Sequence, residues 1–379
     1  MTAPISMCII AREDPHLEEC IKSFWQNVNE VCVIVTSDLD VQTCRTLERL
    51  KGRAAPCKLV YESFTGCNDR NDQIVDFSAA RNKCISLATQ PYICWVDSDD
   101  IITGSEGFAA LCQTYSEMAQ DIGVLFPYAY SFSQDGVCTC MHYRERLVRN
   151  NQSFSFLGAV HEVLAPTPGH NPMMFKNDHI KWKHMRQFSS KPQETGRNLR
   201  ILQKYFADGG NDVRNKYYIG LEYSNVGDNV SATKYLEEYV LESKWSDEKA
   251  FALDRLCSVA ISNKDYDKGL EYAFQLLKTK YNWFEAYNNI CKMYYYKEQW
   301  AECVHYADIA LNQPPTDTLL FVNQMERFSI HEYLNVALNH LGLYEQAISS
   351  CKEGLVGLPS SAYLSSNLLA YEKHIKGIS

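Results

Sequence analysis

The order of strand and helix signals along this chain of 379 residues limits the folds that it can adopt. Short apolar runs at 5–11, 31–35, 59–61 and 92–96 predict buried strands, and the segments between them carry apolar residues at helical spacing. Strands that alternate with helices form a mostly parallel sheet covered by helices. Ligands of such sheets bind beyond the carboxyl ends of the strands, so we expect functional residues there.

After about residue 199 only helical patterns remain, and they repeat. Four small residues occupy equivalent places in this half, namely Ala232, Gly269, Cys303 and Ala347. Their spacing of about 34 residues, interrupted by an insertion around Pro314 and Pro315, resembles that of tetratricopeptide repeats (TPR). We therefore predict an α/β domain at residues 1–200 and an all-α, TPR-like domain at residues 201–379.

The repeats bear on the choice of partner. Stacked helix pairs present an extended concave face, which suits the binding of a protein or peptide. The alternative is that the repeats only support the first domain.

The composition argues against some classes of function. A formal net charge of −9 does not suit a chain built mainly to coat nucleic acid or an anionic membrane surface. No apolar stretch reaches the roughly 18 residues of a membrane span, and the first residues lack a secretory signal pattern. The 15 cysteines show no CxxC pair, which is typical of reduced thiols in an intracellular protein. We expect a cytoplasmic protein.

One strand ends abruptly in carboxylates, at Trp95-Val96-Asp97-Ser98-Asp99-Asp100. Like charges held close together cost stability unless a cation compensates for them. Oxygen-rich clusters of this kind suit Mg²⁺ or Mn²⁺, and such an ion would bind a substrate diphosphate. The alternative is a solvated acidic turn.

Further motifs stand in a fixed order around this strand. They are DFSAARN at 76–82, SMCIIARED at 6–14, RLVRN at 146–150, GAVHE at 158–162, and His184 followed by Lys191 and the basic 197–199. With these motifs, residues 4–200 resemble family 2 glycosyltransferases, and in particular a branch fused to TPR repeats. The resemblance implies a Rossmann-like α/β domain of the GT-A fold, followed by the helical repeats.

The resemblance also implies roles for the residues of the acidic turn. Asp99 would bind a divalent cation, Mn²⁺ or Mg²⁺, and His184 would be a further ligand of the metal or the diphosphate. Asp97 would contact the ribose or the water shell of the metal, and Ser98 would belong to the donor site.

Other matched residues would line the nucleotide pocket. These are Asp76, Arg81 and Arg12, the last near the base or phosphates. The family usually has an aspartate after the second strand that reads the base, whereas Val35 stands there in this chain. Either Asp38 takes its place or the base contact differs, so uridine is favoured and another base stays open.

The pair His161 and Glu162 is the candidate for acid–base chemistry. Glu162 follows a predicted strand and would take the proton of the acceptor, on the face of the sugar opposite the leaving group. The resemblance implies inversion at the anomeric carbon. The alternative is that the pair only orients a loop.

The segment 176–200 is basic, with seven Lys or Arg residues against two acidic ones. It would clamp the diphosphate or attract an anionic acceptor, because phosphate contacts mostly use these side chains. The alternative is a solvated linker between the two domains.

Together these features predict an inverting, metal-dependent glycosyltransferase that moves a sugar from a nucleotide-sugar, with UDP favoured, to a macromolecule. A protein or peptide acceptor is favoured, since a similar layout occurs in S-glycosyltransferases that modify bacteriocin peptides. A glycan or a hydroxylated nucleic-acid base is the alternative acceptor. Two other classes compete: a non-catalytic TPR scaffold and a metal-dependent nucleotide hydrolase.

Overall fold

The computed structural model of the protein divides into two compact units, residues 1–210 and 211–379. The residues that the structure describes are 2–52, 56–133, 136–185, 196–210, 212–323 and 325–377.

Four parallel strands form one side of the sheet in the first unit. In the order β3-β2-β1-β4 they are β3 (Lys58–Ser63), β2 (Val28–Val35), β1 (Ala3–Ala11) and β4 (Tyr92–Asp97). Nearly every residue of β1 and β2 is buried, as expected for strands that are covered on both faces.

The other side of the sheet is mixed, and it continues from β4 in the order β7-β6-β11-β5. Antiparallel pairs join β4 to β7, β7 to β6 and β11 to β5, whereas β11 and β10 run parallel to β6. A separate hairpin joins β8 and β9. These strands are β5 (Asp100–Thr103), β6 (Ile122–Phe132), β7 (Cys138–Arg149), β8 (Phe154–Leu157), β9 (Val163–Pro166), β10 (Met173–Lys176) and β11 (Lys181–His184).

Helices pack against this sheet and form two apolar cores with it. Trp95 and Trp182 are among the largest fully buried side chains. The covering helices are α1 (Leu17–Lys22), α2 (Val41–Gly52), α3 (Phe77–Ile85) and α4 (Phe108–Ser116), and α5 (Arg197–Ala207) is a further helix of this unit. Asp76 precedes α3 as its N-cap, because its side chain accepts a hydrogen bond from the backbone N–H of Ala79 at 2.9 Å. The DFSAARN motif therefore begins with the residue that starts the helix.

The second unit consists of consecutive helix pairs, as the repeat pattern predicts. The pairs are α6 (Val213–Asn225) with α7 (Asn229–Glu242), α8 (Ser246–Ser262) with α9 (Tyr266–Thr279), α10 (Phe284–Tyr296) with α11 (Trp300–Leu311), and α12 (Glu326–His340) with α13 (Tyr344–Gly357). The short strand β12 (Val322–Asn323) precedes α12, and α14 (Ala362–Ile375) is the last helix. Among the described helices, none combines the length and the apolar character that crossing a membrane requires.

The small residues of the repeat lie where helices cross. Ala232, Cys303 and Ala347 have no exposed surface. A Cβ added at Gly269 would lie 2.4 Å from the sulfur of Met293. Close approach of the helices therefore requires a small side chain at these positions.

Candidate active site

The predicted acidic turn lies at the carboxyl end of β4, beside the carboxyl end of β1. The chain order reverses here, since β2 and β3 follow on one side of β1 and β4 lies on the other. The two strand ends are joined through Ser98, whose hydroxyl donates to Asp14 Oδ2 at 3.0 Å. This is the place where open α/β sheets bind their ligands.

Asp97, the last residue of β4, lies between two guanidinium groups. Its Oδ1 accepts a hydrogen bond from Arg81 Nη2 at 2.5 Å, and Arg146 Nη1 lies 3.6 Å from its Oδ2. Burial favours the neutral acid, but the two arginines outweigh it and hold the pKa of Asp97 well below its usual range. Asp97 is therefore an anion whose charge the protein already balances.

Arg81 links the acidic turn to the predicted acid–base pair. It is 7% exposed, and its Nε donates to Glu162 Oε1 at 2.5 Å. Its guanidinium also lies 4.4 Å from the centroid of the Trp95 ring. These contacts tie α3, β4 and the loop before β9 into one buried ion-pair chain.

The loop that carries Glu162 is held at the start of α3. The backbone N–H of Phe77 donates to Ala159 O at 2.8 Å, and the hydroxyl of Ser78 donates to Gly158 O at 2.6 Å. His161 adopts a left-handed backbone conformation, with φ of +54°, which is uncommon for residues other than glycine. Burial raises the pKa of Asp76, and the negative charge of Glu162 adds to the effect.

Asp100 is fully buried, and four donors reach its carboxylate. Oδ1 accepts from the Tyr128 hydroxyl at 2.8 Å and faces His184 Nδ1 at 3.2 Å. Oδ2 accepts from the Asp97 backbone N–H and from Arg146 Nη2, both at 3.3 Å. A carboxylate offers about four acceptor positions, so Asp100 is saturated by the protein.

The side chains of Asp99 and His184 are 13% and 15% exposed, whereas that of Asp100 is fully buried. His184 Nδ1 lies 3.6 Å from Asp99 Oδ1, and the His184 ring stacks on Tyr130 at 4.9 Å. Burial raises the pKa of Asp99 to about 7, with the neighbouring carboxylates adding to the effect and His184 opposing it. Burial alone would lower the pKa of His184, but the hydrogen bond to Asp100 and the carboxylate charges raise it above its usual value.

The donor set fits a divalent cation. One ligand atom from each of Asp99, Asp100 and His184 lies within 4.8 Å of the others. Because four donors already reach Asp100, the side chains of this set that are left for a metal are Asp99 and His184. Two protein ligands leave the remaining positions to substrate phosphates and water, as is usual for Mg²⁺ and compatible with Mn²⁺.

Arg12 lies at the neighbouring strand end, among a second set of polar side chains. Its Nη1 and Nη2 donate to the backbone O and to Oδ2 of Asp72, at 2.6 and 2.8 Å. The Ser37 hydroxyl donates to the same Oδ2 at 2.6 Å, and Asn68 Nδ2 donates to Oδ1 at 2.7 Å. Asp38, the predicted base-reading residue, is exposed and is not part of this set.

Sequence reasoning missed three residues of the site. Arg146 belongs to the RLVRN motif but had no assigned role, and its contacts with Asp97 and Asp100 depend on the pairing of β7 with β4. Tyr128 and Asp72 carry no motif. Their roles depend on strand pairing and on the path of a loop, and neither leaves a local signal.

Two arginines of the basic segment 176–200 contact side chains of the first unit. Arg197 lies 5.2 Å above the Phe77 ring, and Arg200 Nη1 lies 3.9 Å from Asp69 Oδ2. The positions 186–195, which include Lys191, lie outside the described residues.

No protein-family model matches the chain. Residues of the chain are 22% identical over 287 positions to glycosyltransferase SunS of Bacillus phage SPbeta and to the SPbeta prophage-derived glycosyltransferase SunS of Bacillus subtilis (strain 168). The match covers 72% of this chain and 62% of each relative, so the chain spans less than two thirds of their length.

Among solved structures, MamA is 15% identical, with 43% of this chain and 88% of MamA covered and a TM-score of 0.36. YrrB, described as a TPR protein with an unusual peptide-binding site, is 13% identical, with 47% and 85% covered and a TM-score of 0.37. Both TM-scores are low, so the sequence similarity to SunS is the comparison that bears on function.

Proposed function

We propose that this protein is a metal-dependent, inverting glycosyltransferase that moves a sugar from a UDP-sugar to a protein or peptide. The observation that carries the proposal is the buried cluster at the ends of β1 and β4. There Asp97 and Asp100 are balanced by Arg81 and Arg146. The similarity to SunS supports glycosyl transfer over other reactions that use a bound diphosphate.

Asp99 and His184 would hold the divalent cation. The ion would offset the negative charge that develops on the nucleoside diphosphate as it leaves. Asp97 and Asp100, on either side of Asp99, are already paired with arginines. They therefore fix the turn without adding net negative charge that would repel the diphosphate.

Glu162 is our candidate for the base. Arg81 Nε occupies its Oε1, and no donor among the described residues reaches its Oε2. Oε2 would take the proton of the acceptor hydroxyl or thiol as that atom attacks the anomeric carbon. The bond from this carbon to the diphosphate breaks, its electron pair leaves with the diphosphate, and a single displacement inverts the anomeric centre.

The acceptor assignment draws on the second unit. Helical repeats suit extended polypeptides, and the net charge of −9 disfavours an anionic acceptor. A glycan or a hydroxylated nucleic-acid base would make far less use of such a unit.

Calorimetric binding of nucleoside diphosphates, with and without Mn²⁺, tests the part of the proposal that concerns the donor site. We expect Mn²⁺-dependent binding of UDP that weakens at least about tenfold in Asp99→Asn and in His184→Ala, since each removes a metal ligand. Asp178→Asn, which changes a surface carboxylate that accepts a hydrogen bond from Tyr143 at 2.6 Å, is the matched control.

Absence of nucleotide binding by the wild-type protein would favour the scaffold alternative. Binding followed by UDP release that no acceptor peptide accelerates would favour a nucleotide hydrolase. The role of Glu162 fails if Glu162→Gln turns over at the wild-type rate.

A further inference from the structure

The insertion that interrupts the helical repeats is an extended segment between α11 and α12. From residue 316 to residue 323 its side chains alternate between partly buried and exposed. The partly buried ones are Thr316, Thr318, Leu320 and Val322, and the exposed ones are Asp317, Leu319, Phe321 and Asn323. A period of two is that of an extended chain with one covered face.

One arginine and two prolines fix the start of this segment. Arg327, in the first turn of α12, donates from Nη2 to Leu311 O at 2.8 Å and from Nη1 to Gln313 O at 2.9 Å. Pro314 and Pro315 follow, and a residue that precedes a proline avoids the helical conformation. The chain therefore leaves α11 in an extended conformation.

Two threonines of the segment bind carboxylates on α8 and α10, which are not its neighbours along the chain. The hydroxyl of Thr316 donates to Glu285 Oε2 at 2.6 Å, and that of Thr318 donates to Asp247 Oδ2 at 2.8 Å. Glu285 and Asp247 lie in the first turns of α10 and α8, and these two helices are in contact. Alternate residues of an extended chain are about 7 Å apart and packed helices about 8–10 Å, so the threonines can reach both helices.

Residues 315–320, here called the strap, contribute little to the core of the helical unit. No residue of the strap is fully buried, and Leu319 is 37% exposed. A segment with few buried apolar contacts opens at a low cost in free energy. Asp247 also forms an ion pair with Lys280, so its charge stays compensated when Thr318 leaves. The carboxylates can therefore exchange the strap for another ligand.

We propose that the strap is a built-in ligand of a peptide-binding site formed by Glu285 and Asp247. The peptide that replaces the strap is extended and carries serine or threonine at two alternate positions, because each carboxylate accepts a hydrogen bond from one hydroxyl. Occupied by the strap, the site is closed to such a peptide. To call this peptide the sugar acceptor rests on the proposed function, whereas the binding itself does not.

Fluorescence anisotropy of a labelled peptide with the sequence of residues 313–322 tests the proposal on the full chain. A tethered ligand competes at an effective concentration on the order of millimolar, so the wild-type protein should bind the free peptide weakly. The double variant Thr316→Val with Thr318→Val loses both hydrogen bonds of the strap. It should bind the peptide at least about tenfold more tightly than the wild type, since one hydrogen bond to a charged group is worth about that factor.

Matched controls separate release of the strap from a general loss of structure. Thr318→Val alone should give an intermediate affinity, and Asp317→Asn, at an exposed position of the strap, should bind the peptide as weakly as the wild type. A peptide that itself carries Thr316→Val and Thr318→Val should bind the double variant at least about tenfold less tightly than the peptide with both threonines.

Equal affinities of the double variant and the wild type for the peptide would overturn the proposal. Equal binding of the two peptides by the double variant would also overturn it. The assay contains no nucleotide, so a protein that binds no UDP would overturn the proposed function and leave this inference standing.

Discussion

At the scale of single residues, His184 is the proposed ligand of the cation, and Tyr128 is a residue that would orient it. Tyr128 O–H and His184 Nδ1 both face Oδ1 of Asp100, and the Tyr128 oxygen lies 2.8 Å from Nδ1. If Tyr128 donates to Asp100, its oxygen accepts the hydrogen of Nδ1, so Nε2 carries the lone pair. This fixes the tautomer that binds metals.

Tyr128→Phe should therefore weaken Mn²⁺ binding without removing a ligand. We expect a loss of about tenfold in Mn²⁺ affinity, typical of outer-shell partners of a metal-binding histidine. Electron paramagnetic resonance of Mn²⁺, titrated into the protein with UDP present, measures it. Tyr143→Phe, which removes the hydroxyl that donates to Asp178 at the surface, is the control. Equal affinities in the two variants would exclude the orienting role.

The residue scale also shows which parts of the site could be predicted. The acidic turn follows from one hydrophobic strand that ends in three aspartates, so local sequence suffices for Asp97 and Asp99. The arginines that balance Asp97 and Asp100 come from α3 and β7, and Arg146 reaches the turn only because β7 pairs with β4. Non-local pairing of this kind has no signature in a single sequence.

At the scale of elements, α10 carries a buried acid in its first turn. Glu285 is 7% exposed, and the hydroxyl of Thr316 donates to its Oε2 at 2.6 Å. Burial raises the pKa of this carboxyl to about 7, although the hydrogen bond from Thr316 opposes the shift. Because the folded pKa exceeds the unfolded one, the folded state is penalised as pH rises from about 4.5 to about 7.

Glu285→Gln should remove this pH dependence. Near pH 4.5 the variant and the wild type should be about equally stable, and above pH 7 the variant should gain up to about 3 kcal/mol. Urea unfolding followed by far-UV circular dichroism at pH 5 and pH 8 measures the difference. Glu302→Gln, at an exposed position of α11, should show no such trend. A gain that is the same at both pH values would contradict the expectation.

The elements themselves were predicted unevenly. The apolar runs at 5–11 and 92–96 correspond closely to β1 and β4, because buried parallel strands are apolar throughout. The helical pairs followed from the spacing of small residues. The order of the antiparallel strands was not predictable, since the pairing of β6 with β7 and β11 depends on residues far apart in the chain.

At the scale of the whole molecule, the residues proposed for the donor all lie in the first unit, while the helix pairs form the second. A fragment of residues 1–210 should therefore bind UDP and Mn²⁺ with nearly the affinity of the full chain.

If the helical unit binds the acceptor, the same fragment should lose transfer to peptides by about tenfold or more, because binding energy remote from the reacting atoms contributes to the rate. Mass spectrometry of a random peptide library, incubated with UDP-sugars and either protein, detects the added sugar. Circular dichroism and UDP binding first establish that the fragment is folded. Equal modification of peptides by the fragment and the full chain would mean that the helical unit only supports the first unit. Retained UDP binding with lost transfer would mean that the helical unit binds the acceptor.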